Sequence, residues 1–280
     1  SINGFPFYHI APSENDNDEV KQKKLSRINE YVYQAIIKGK QIYQNSPYSV
    51  YNNISEEIKT DLYTLLKEEM SDTKTTTVAG MEFCEGNLDG KDVIVVQSGM
   101  GKVNAGICAQ TLINTFGANR IINTGVAGSL DAKIDIGDIV VSTDALEHDF
   151  DLSPIGYTPG QIYYNGPVAF TADENMRKDV VTAAKECTPE IHIFEGRICT
   201  GDQFIASKEQ KKAIVSKFGG LCCEMEGGAI AQVCYLNKTP FVIIRAISDK
   251  ADDSEEMSYE EFKNDAAARC AAITKYMVTH

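Results

Sequence analysis

The clearest hydrophobic pattern in the chain is an uninterrupted apolar run near its C-terminus. Residues 240–249 read PFVIIRAISD, in which β-branched and aromatic side chains follow one another without alternating with polar ones. Runs of this kind are typical of strands buried on both faces of a parallel sheet. The run therefore predicts a central strand, with Ser248 and Asp249 at its carboxyl end, where open α/β sheets bind ligands.

A second segment, residues 222–234, places two carboxylates directly before small and apolar residues. It reads CCEMEGGAIAQVC and predicts a helix opened by Glu224 and Glu226, whose negative charges interact favourably with the helix dipole. This pattern alone leaves a purely structural role open for both carboxylates. Arg245, inside the apolar run, needs a carboxylate partner, and these two are the nearest candidates in sequence.

The rest of the pattern alternates strands with helices and so predicts an α/β fold. Helical spacing over residues 25–36 ends at Gly39, and a capping box at Asn53 opens an amphipathic helix that ends near Met70. Two apolar segments around Asp89-Gly90 predict a β-hairpin, 81–85 with 93–96. Further helices are predicted at 103–116, 174–186, 208–218 and from about 258 to 277, further strands at 120–123, 138–142 and 191–199, and a bend at Gly125 and Gly128.

Composition narrows the class of protein. The length of 280 residues suits one α/β domain, residues 48–280, after an N-terminal extension, residues 1–47. A net charge of −13 argues against nucleic acid and anionic membranes as partners. Because no apolar run approaches the roughly 20 residues of a membrane span and residues 1–12 do not resemble a secretory signal, we expect a cytoplasmic protein. The eight cysteines lack CxxC spacing and are predicted to be reduced core thiols.

Two further segments are ambiguous from their residue types. Residues 98–101, SGMG, lie where a strand leads into a helix, so their backbone N–H groups could bind an anion or hydroxyl group, or simply form a tight turn. Residues 148–151, HDFD, lack a complete ligand set, and we predict a solvated strand end and assign no metal.

A family resemblance connects these segments. Residues 224–226 (EME) and 245–249 (RAISD) resemble the paired signature of the 5′-methylthioadenosine/S-adenosylhomocysteine nucleosidases, within the wider family of purine nucleoside and uridine phosphorylases. The resemblance spans about residues 74–278 and includes four more motifs, SGMGKVNA at 98–105, NTGVAG at 123–128, IGDIVVS at 136–142 and GDQFI at 201–205. It implies a three-layer α/β sandwich with a twisted mixed central sheet, no cofactor, a homodimer, a place in methionine salvage, and hydrolysis of adenine thionucleosides to adenine.

The resemblance also implies roles for individual residues. Asp249, whose position beside an apolar strand disfavours its ionised form, would protonate the purine ring, and Ser248 would orient it. Glu226 would accept hydrogen bonds from the ribose hydroxyls. The other implied substrate contacts are Ser98 with the water or ribose, Phe204 and the Ile205 backbone with adenine, Met225 with the sugar, Leu152, Ile155 and Tyr163 across the dimer interface with the 5′-substituent, and also Arg245 and Tyr259.

The water activator is where the chain departs from the family pattern. Family members have an apolar strand, a glycine and a run of glutamates, the last of which activates the water, whereas residues 50–58 read VYNNISEEI. Aligning the helix starts makes Glu57 the catalytic base. The alternatives are a helix-dipole role for Glu57, a first strand at residues 5–10 with Glu14 as the base, or no base at all.

Two rival functions remain open. The first is a nucleoside phosphorylase of the same fold, in which arginines hold the phosphate. Lys102 stands where such an arginine would accompany residues 98–101, which favours hydrolysis over phosphorolysis. The second is a nucleoside-binding or storage protein that keeps the fold without the chemistry.

Overall fold

The computed structural model describes residues 62–251 and 259–280, with side chains for residues 62–251 and 266–280. It begins with helix α1, Leu62–Glu69, and an antiparallel sheet of β1, Ser71–Val78, β2, Met81–Leu88, and β3, Lys91–Val96. Asp89 and Gly90 have φ values of 49° and 89°, as a tight hairpin turn requires, so the predicted hairpin is confirmed. The predicted helix at 25–36, the capping box at Asn53 and the domain boundary at residue 47 lie outside the described residues.

Five strands of the second sheet form a closed ring. β4 pairs in parallel with β9, β5 with β7 and β7 with β8, whereas β8 is antiparallel to β4 and β5 is antiparallel to β9. Within the described residues, the sixth strand, β6, pairs with β5 alone. The bounds are β4, Ile121–Ser129, β5, Ile139–Glu147, β6, Phe170–Thr171, β7, Ile193–Thr200, β8, Cys222–Glu224, and β9, Phe241–Asp249.

Helices cover both faces of this sheet. Their bounds are α2, Lys102–Asn114, α3, Glu174–Cys187, α4, Lys208–Phe218, α5, Gly227–Asn237, and α6, Tyr259–Thr279, with a 3₁₀ turn at Ser153–Ile155. One core cluster joins α2 and α5 to Ile243 of β9, and another joins α3 and α6 to the adjacent Ile244. Because neighbouring strand residues point to opposite faces, β9 is buried on both sides, and the predicted three-layer α/β fold is confirmed.

One element was not predicted and one local prediction is wrong. The helix predicted after Glu224 and Glu226 is confirmed as α5, with Glu226 at its N-cap. The short strand before it, Cys222–Glu224, was not predicted; both of its cysteines are buried and it pairs with β4 and β7. Gly125 and Gly128 lie inside β4 and not in a bend. A Cβ atom at Gly125 would lie 2.9 Å from Arg245 Nη1, and one at Gly128 would lie 2.7 Å from Asp249 Oδ1. These glycines therefore leave room for charged side chains.

The cysteines are free thiols, as predicted. All of them except the half-buried Cys187 are buried. Burial raises the pKa of the Cys199 and Cys234 thiols to about 12, which keeps them protonated and unreactive. Within the described ranges, none of the helices is both long and apolar enough to cross a membrane.

Candidate active site

The site is built around a buried ion pair. Arg245, only 1% exposed on β9, forms an ion pair with Glu224 at the end of β8, and its Nη2 atom also donates to Asn123 Oδ1 at 2.6 Å. Burial opposes ionisation of Glu224, but the charge of Arg245 and the hydrogen bonds from Thr200 and Arg245 lower its pKa below the ordinary value. The predicted need of Arg245 for a carboxylate partner is thus confirmed.

Glu224 also fixes the start of α5. Its Oε2 atom accepts the backbone N–H groups of Gly227 at 2.7 Å and of Glu226 at 3.1 Å. Thr200 on β7 accepts the N–H of Gly228 at 2.6 Å, and a Cβ atom at Gly228 would lie 2.8 Å from the Thr200 Cβ. Side chains from two strands, β7 and β8, therefore hold the turn that carries Met225 and Glu226. At position 228, the packing leaves no room for a residue larger than glycine.

Glu226 lies where this turn meets the glycine-rich turn before α2. Its Oε1 atom accepts the N–H of Gly101 at 2.9 Å, and its Oε2 atom is 3.9 Å from Arg245 Nη2. Burial and the nearby charge of Glu224 raise the pKa of Glu226 to about 7, against the opposing charge of Arg245. Near neutral pH, Glu226 therefore exchanges a proton readily and can accept hydrogen bonds in its ionised form.

Asp249 follows the predicted geometry at the end of β9. Ser248 Oγ donates to Asp249 Oδ2 at 2.9 Å, and the N–H of Ala251 donates to Oδ1 at 2.7 Å. In the sheet register, Gly128 of β4 is the partner of both Cys223 on β8 and Asp249 on β9. Since β8 leads directly to the Glu226 turn, β4 brings that turn beside Asp249.

The glycine-rich turn is anchored by charge. Gly99 and Gly101 have φ values of 78° and 88°, a region that favours glycine. Lys102 forms ion pairs with Glu147 at 2.9 Å and with Asp149 at 2.7 Å. The prediction of a solvated strand end at residues 148–151 is wrong for Asp149, whose side chain is only 18% exposed. No group of three metal-ligating side chains occurs within the described part of the chain.

Comparisons with known proteins show the family to which the chain belongs. The family model described as Phosphorylase superfamily matches residues 57–279. The 5′-methylthioadenosine/S-adenosylhomocysteine nucleosidase of Shewanella loihica is 40% identical over 215 residues, which cover 75% of this chain and 91% of that protein. The crystal structure of the Neisseria meningitidis nucleosidase in complex with methylthio-immucillin-A has a TM-score of 0.73 and 36% identity, and covers 78% of this chain and 94% of that one. This chain belongs to that nucleosidase family, within the phosphorylase superfamily.

A second nucleosidase structure, from Colwellia psychrerythraea in complex with adenine, has a TM-score of 0.69 and 40% identity over 76% of this chain and 88% of that one. In the present chain, the segment after β7 contains Phe204, which is 63% exposed, and Ile205, which is buried. Ser98 Oγ donates to the Gly99 carbonyl at 3.0 Å, and Met225 is half-buried between the two glutamates. Their roles toward a substrate stay predictions.

The structure describes the surroundings of Leu152, Ile155 and Tyr163, which the nucleosidase resemblance also implies. Leu152 precedes the 3₁₀ turn and is half-buried, whereas Ile155 is 71% exposed. Tyr163 packs within its own chain, since its hydroxyl accepts from Gln232 Nε2 at 2.7 Å. The side chain of Tyr259, together with Glu57 and Glu14, lies outside the part of the chain whose side chains are described.

Several site residues were missed from the sequence. Thr200 and Asn123 hold the ion pair, and the Gly101 N–H holds Glu226. The glycine doublet at 227 and 228 was the available signal for tight packing at the helix start. Asp202 lies inside the GDQFI motif, but nothing in that motif indicates that it binds the backbone of Lys102 at 2.8 Å.

Proposed function

We propose that this protein hydrolyses the N-glycosidic bond of 5′-methylthioadenosine and/or S-adenosylhomocysteine and releases adenine, with methionine salvage as its setting. The observation that carries this proposal is the adjacency, through Gly128, of the turn bearing Glu226 and the strand end bearing Asp249. The names of the similar nucleosidases support the substrate class.

The reaction begins with cleavage of the bond between ribose and base. The bonding electrons move to the purine, and Asp249 transfers a proton to a purine ring nitrogen, so the base leaves neutral. The hydrogen bond of 2.9 Å from Ser248 orients the carboxyl group for this transfer. Positive charge develops on the ribosyl group as the bond lengthens.

Glu226 binds the ribose in this proposal. Its ionised carboxylate accepts hydrogen bonds from the ribose hydroxyls, while the Gly101 N–H at 2.9 Å keeps it oriented. Met225 packs against the sugar, Phe204 stacks on adenine, the Ile205 backbone binds the base edge, and Ser98 faces the water or ribose. Arg245 acts indirectly, because its pairing with Glu224 holds the turn in place.

Water completes the reaction. Its oxygen forms a bond to C1′ of the ribosyl group, and its proton passes to a carboxylate base, so that the products are adenine and the 5′-substituted ribose. We propose Glu57 as this base and Glu14 as the alternative. Single-turnover hydrolysis by Glu57→Gln and Glu14→Gln distinguishes them, since a large loss confined to Glu14→Gln excludes Glu57.

The electrostatics of the glycine-rich turn favour water over phosphate as the acceptor. The Lys102 ammonium group is within 2.9 Å of both Glu147 and Asp149, so two negative charges surround one positive charge. A phosphate beside residues 98–101 would experience repulsion from these carboxylates.

The decisive experiment is adenine release from 5′-methylthioadenosine in phosphate-free buffer. We expect release by the wild-type protein, and a loss of about 10²–10⁴-fold in Asp249→Asn with adenine binding retained, because a general acid contributes about this much. Asp179→Asn, an exposed carboxylate on α3, is the matched control. Release only after phosphate addition would identify a phosphorylase, and nucleoside binding without release would identify a storage protein.

We also propose a homodimer. Val103 and Ile107, one turn apart on α2, are 72% and 42% exposed, and the nearby Met100 is 45% exposed. An apolar helix stripe of this kind is typical of a surface that a partner covers. Sedimentation velocity should give a dimer for the wild-type protein and a monomer for Val103→Glu, and an active wild-type monomer would contradict the proposal.

The remaining sequence predictions extend this proposal. The free, buried thiols support a reducing, cytoplasmic location, which imaging of a fluorescent fusion would test. We retain the division at residue 47 between an N-terminal extension and the catalytic domain, and adenine release by a protein that begins at residue 48 would support it.

A further inference from the structure

Asp149 lies at the centre of a closed set of hydrogen bonds. Its Oδ1 atom accepts from the Lys102 ammonium group at 2.7 Å, and its Oδ2 atom accepts the backbone N–H of Asp202 at 2.8 Å. Asp202 closes the set, because its Oδ1 atom accepts the backbone N–H of Lys102 at 2.8 Å. The three residues therefore hold one another through both side chains and backbone.

This set joins two segments that the proposed function uses for different parts of the substrate. Lys102 directly follows Gly101, whose N–H holds Glu226 at 2.9 Å. Asp202 precedes Phe204 by two residues in the segment proposed to bind adenine. A Cβ atom at Gly101 would lie 3.0 Å from Asp202 Oδ1, so the two segments also touch directly.

Packing reinforces the link to Asp149. The imidazole of the neighbouring His148 lies against Gly201, too close for a Cβ atom at that position. His148 and Asp149, directly after β5, therefore both contact the start of the segment proposed to bind adenine. His148 packs against Gly201, and Asp149 accepts a hydrogen bond from the Asp202 N–H.

The charges in the set are maintained despite partial burial. Lys102 and Asp149 are 19% and 18% exposed at their side chains. Burial opposes ionisation of Asp149, but the Lys102 ammonium group and the Asp202 N–H lower its pKa below the ordinary value. Burial opposes the charge of Lys102 as well, yet the hydrogen bonds to Asp149 and Glu147 raise its pKa above the ordinary value.

We propose that Asp149 is a positioning residue that sets the distance between the ribose carboxylate Glu226 and the adenine-binding segment. The proposal rests on the proposed nucleosidase function. Both carboxylate oxygens of Asp149 already accept hydrogen bonds within the protein, so we assign it no direct role in binding the substrate. It acts through Lys102 and Asp202, and its loss lets the glycine-rich turn move relative to Phe204.

The test compares Asp149→Asn with Asp151→Asn. Asparagine keeps the size of the side chain and can still accept the Asp202 N–H, but it removes the nearer of the two carboxylates that pair with Lys102 and leaves only Glu147. Asp151 lies two residues further on and forms an exposed ion pair with Lys217 at 2.8 Å. We expect kcat/KM for 5′-methylthioadenosine to fall about 100-fold in Asp149→Asn, as for a displacement of roughly 1 Å, and to stay at the wild-type value in Asp151→Asn.

A double-variant cycle distinguishes positioning from general destabilisation. If Asp149 acts through Glu226, the loss caused by Asp149→Asn should largely disappear in a Glu226→Gln background, because there is no carboxylate left to position. Independent losses that multiply in the double variant would overturn the proposal. Lys102→Met removes the positive partner of Asp149 and should show the same dependence on Glu226. This variant replaces Asp149→Asn in the cycle if Asp149→Asn does not fold.

The outcomes separate this proposal from the proposed function. An active wild-type protein with an equally active Asp149→Asn overturns the positioning role alone. A wild-type protein that releases no adenine overturns the proposed function, and the positioning role with it.

Discussion

The raised pKa of Glu226 has a consequence for stability that one substitution can measure. Its carboxyl group titrates at about 7 in the folded protein, compared with 4.5 for the free side chain. We expect Glu226→Gln to stabilise the protein above neutral pH, because the amide oxygen can still accept the Gly101 N–H without bringing a charge beside Glu224. The stability gain would accompany a loss of ribose binding.

The sign follows from proton binding. Between 4.5 and about 7, the folded protein holds a proton on Glu226 that the unfolded chain has released. The stability contributed by Glu226 is therefore fully present below the unfolded pKa and is lost as pH rises through the folded one. The gap between 4.5 and about 7 corresponds to roughly 3 kcal/mol, since each pKa unit is worth about 1.36 kcal/mol. About 2 kcal/mol of this change falls between about pH 5 and pH 8.

Urea unfolding at about pH 5 and about pH 8 measures this change for the wild-type and Glu226→Gln proteins. For a chain of this size, a difference of about 2 kcal/mol corresponds to a shift of roughly 4–8 °C in Tm. Glu186→Gln, which alters an exposed carboxylate on α3, should show no comparable dependence on pH. A difference between wild type and Glu226→Gln that is the same at both pH values would refute the reasoning.

Two further substitutions test the packing of the site. Gly128→Ala places a Cβ atom 2.7 Å from Asp249 Oδ1, so we expect adenine release to fall strongly while the fold is kept, whereas Gly106→Ala, with its nearest neighbour at 3.9 Å, should be active. Equal activity of the two variants would contradict this. Arg245→Leu removes the positive charge beside the buried Glu224 carboxylate and should lower the free energy of unfolding by about 3–5 kcal/mol, as measured in urea. A loss well below this range would mean that water reaches the carboxylate.

Elements with a strong local signal could be predicted from the sequence. β9 is an apolar run long enough to be a buried strand, and the β2–β3 hairpin is marked by Asp89-Gly90. β1 was missed because its sequence, SDTKTTTV, is almost entirely polar and exposed, and so has no hydrophobic period. β8 was also missed, because three residues carry little periodicity and its pairing with β4 and β7 is decided by distant parts of the chain.

Some contacts of the site could likewise be predicted from the sequence, and others could not. The ion pair of Arg245 could be predicted because a buried guanidinium requires a carboxylate, whatever the fold. The hydrogen bond from Gly101 to Glu226 could not, because it spans 125 positions and depends on where two turns meet in space. The same holds for Asp149, whose neighbours in sequence suggest a solvated segment while its partners Lys102 and Asp202 lie far along the chain.

The closed arrangement of β4, β5, β7, β8 and β9 acts like a hoop around the interior. Each of these strands has a hydrogen-bonded neighbour on both sides over at least part of its length, so none of the five is an edge strand from end to end. The amides of β9 that face β4 and β5 should therefore exchange with deuterium only when the whole hoop opens. Arg245 belongs to that strand, so the support of the active site is built into the slowest-opening part of the molecule.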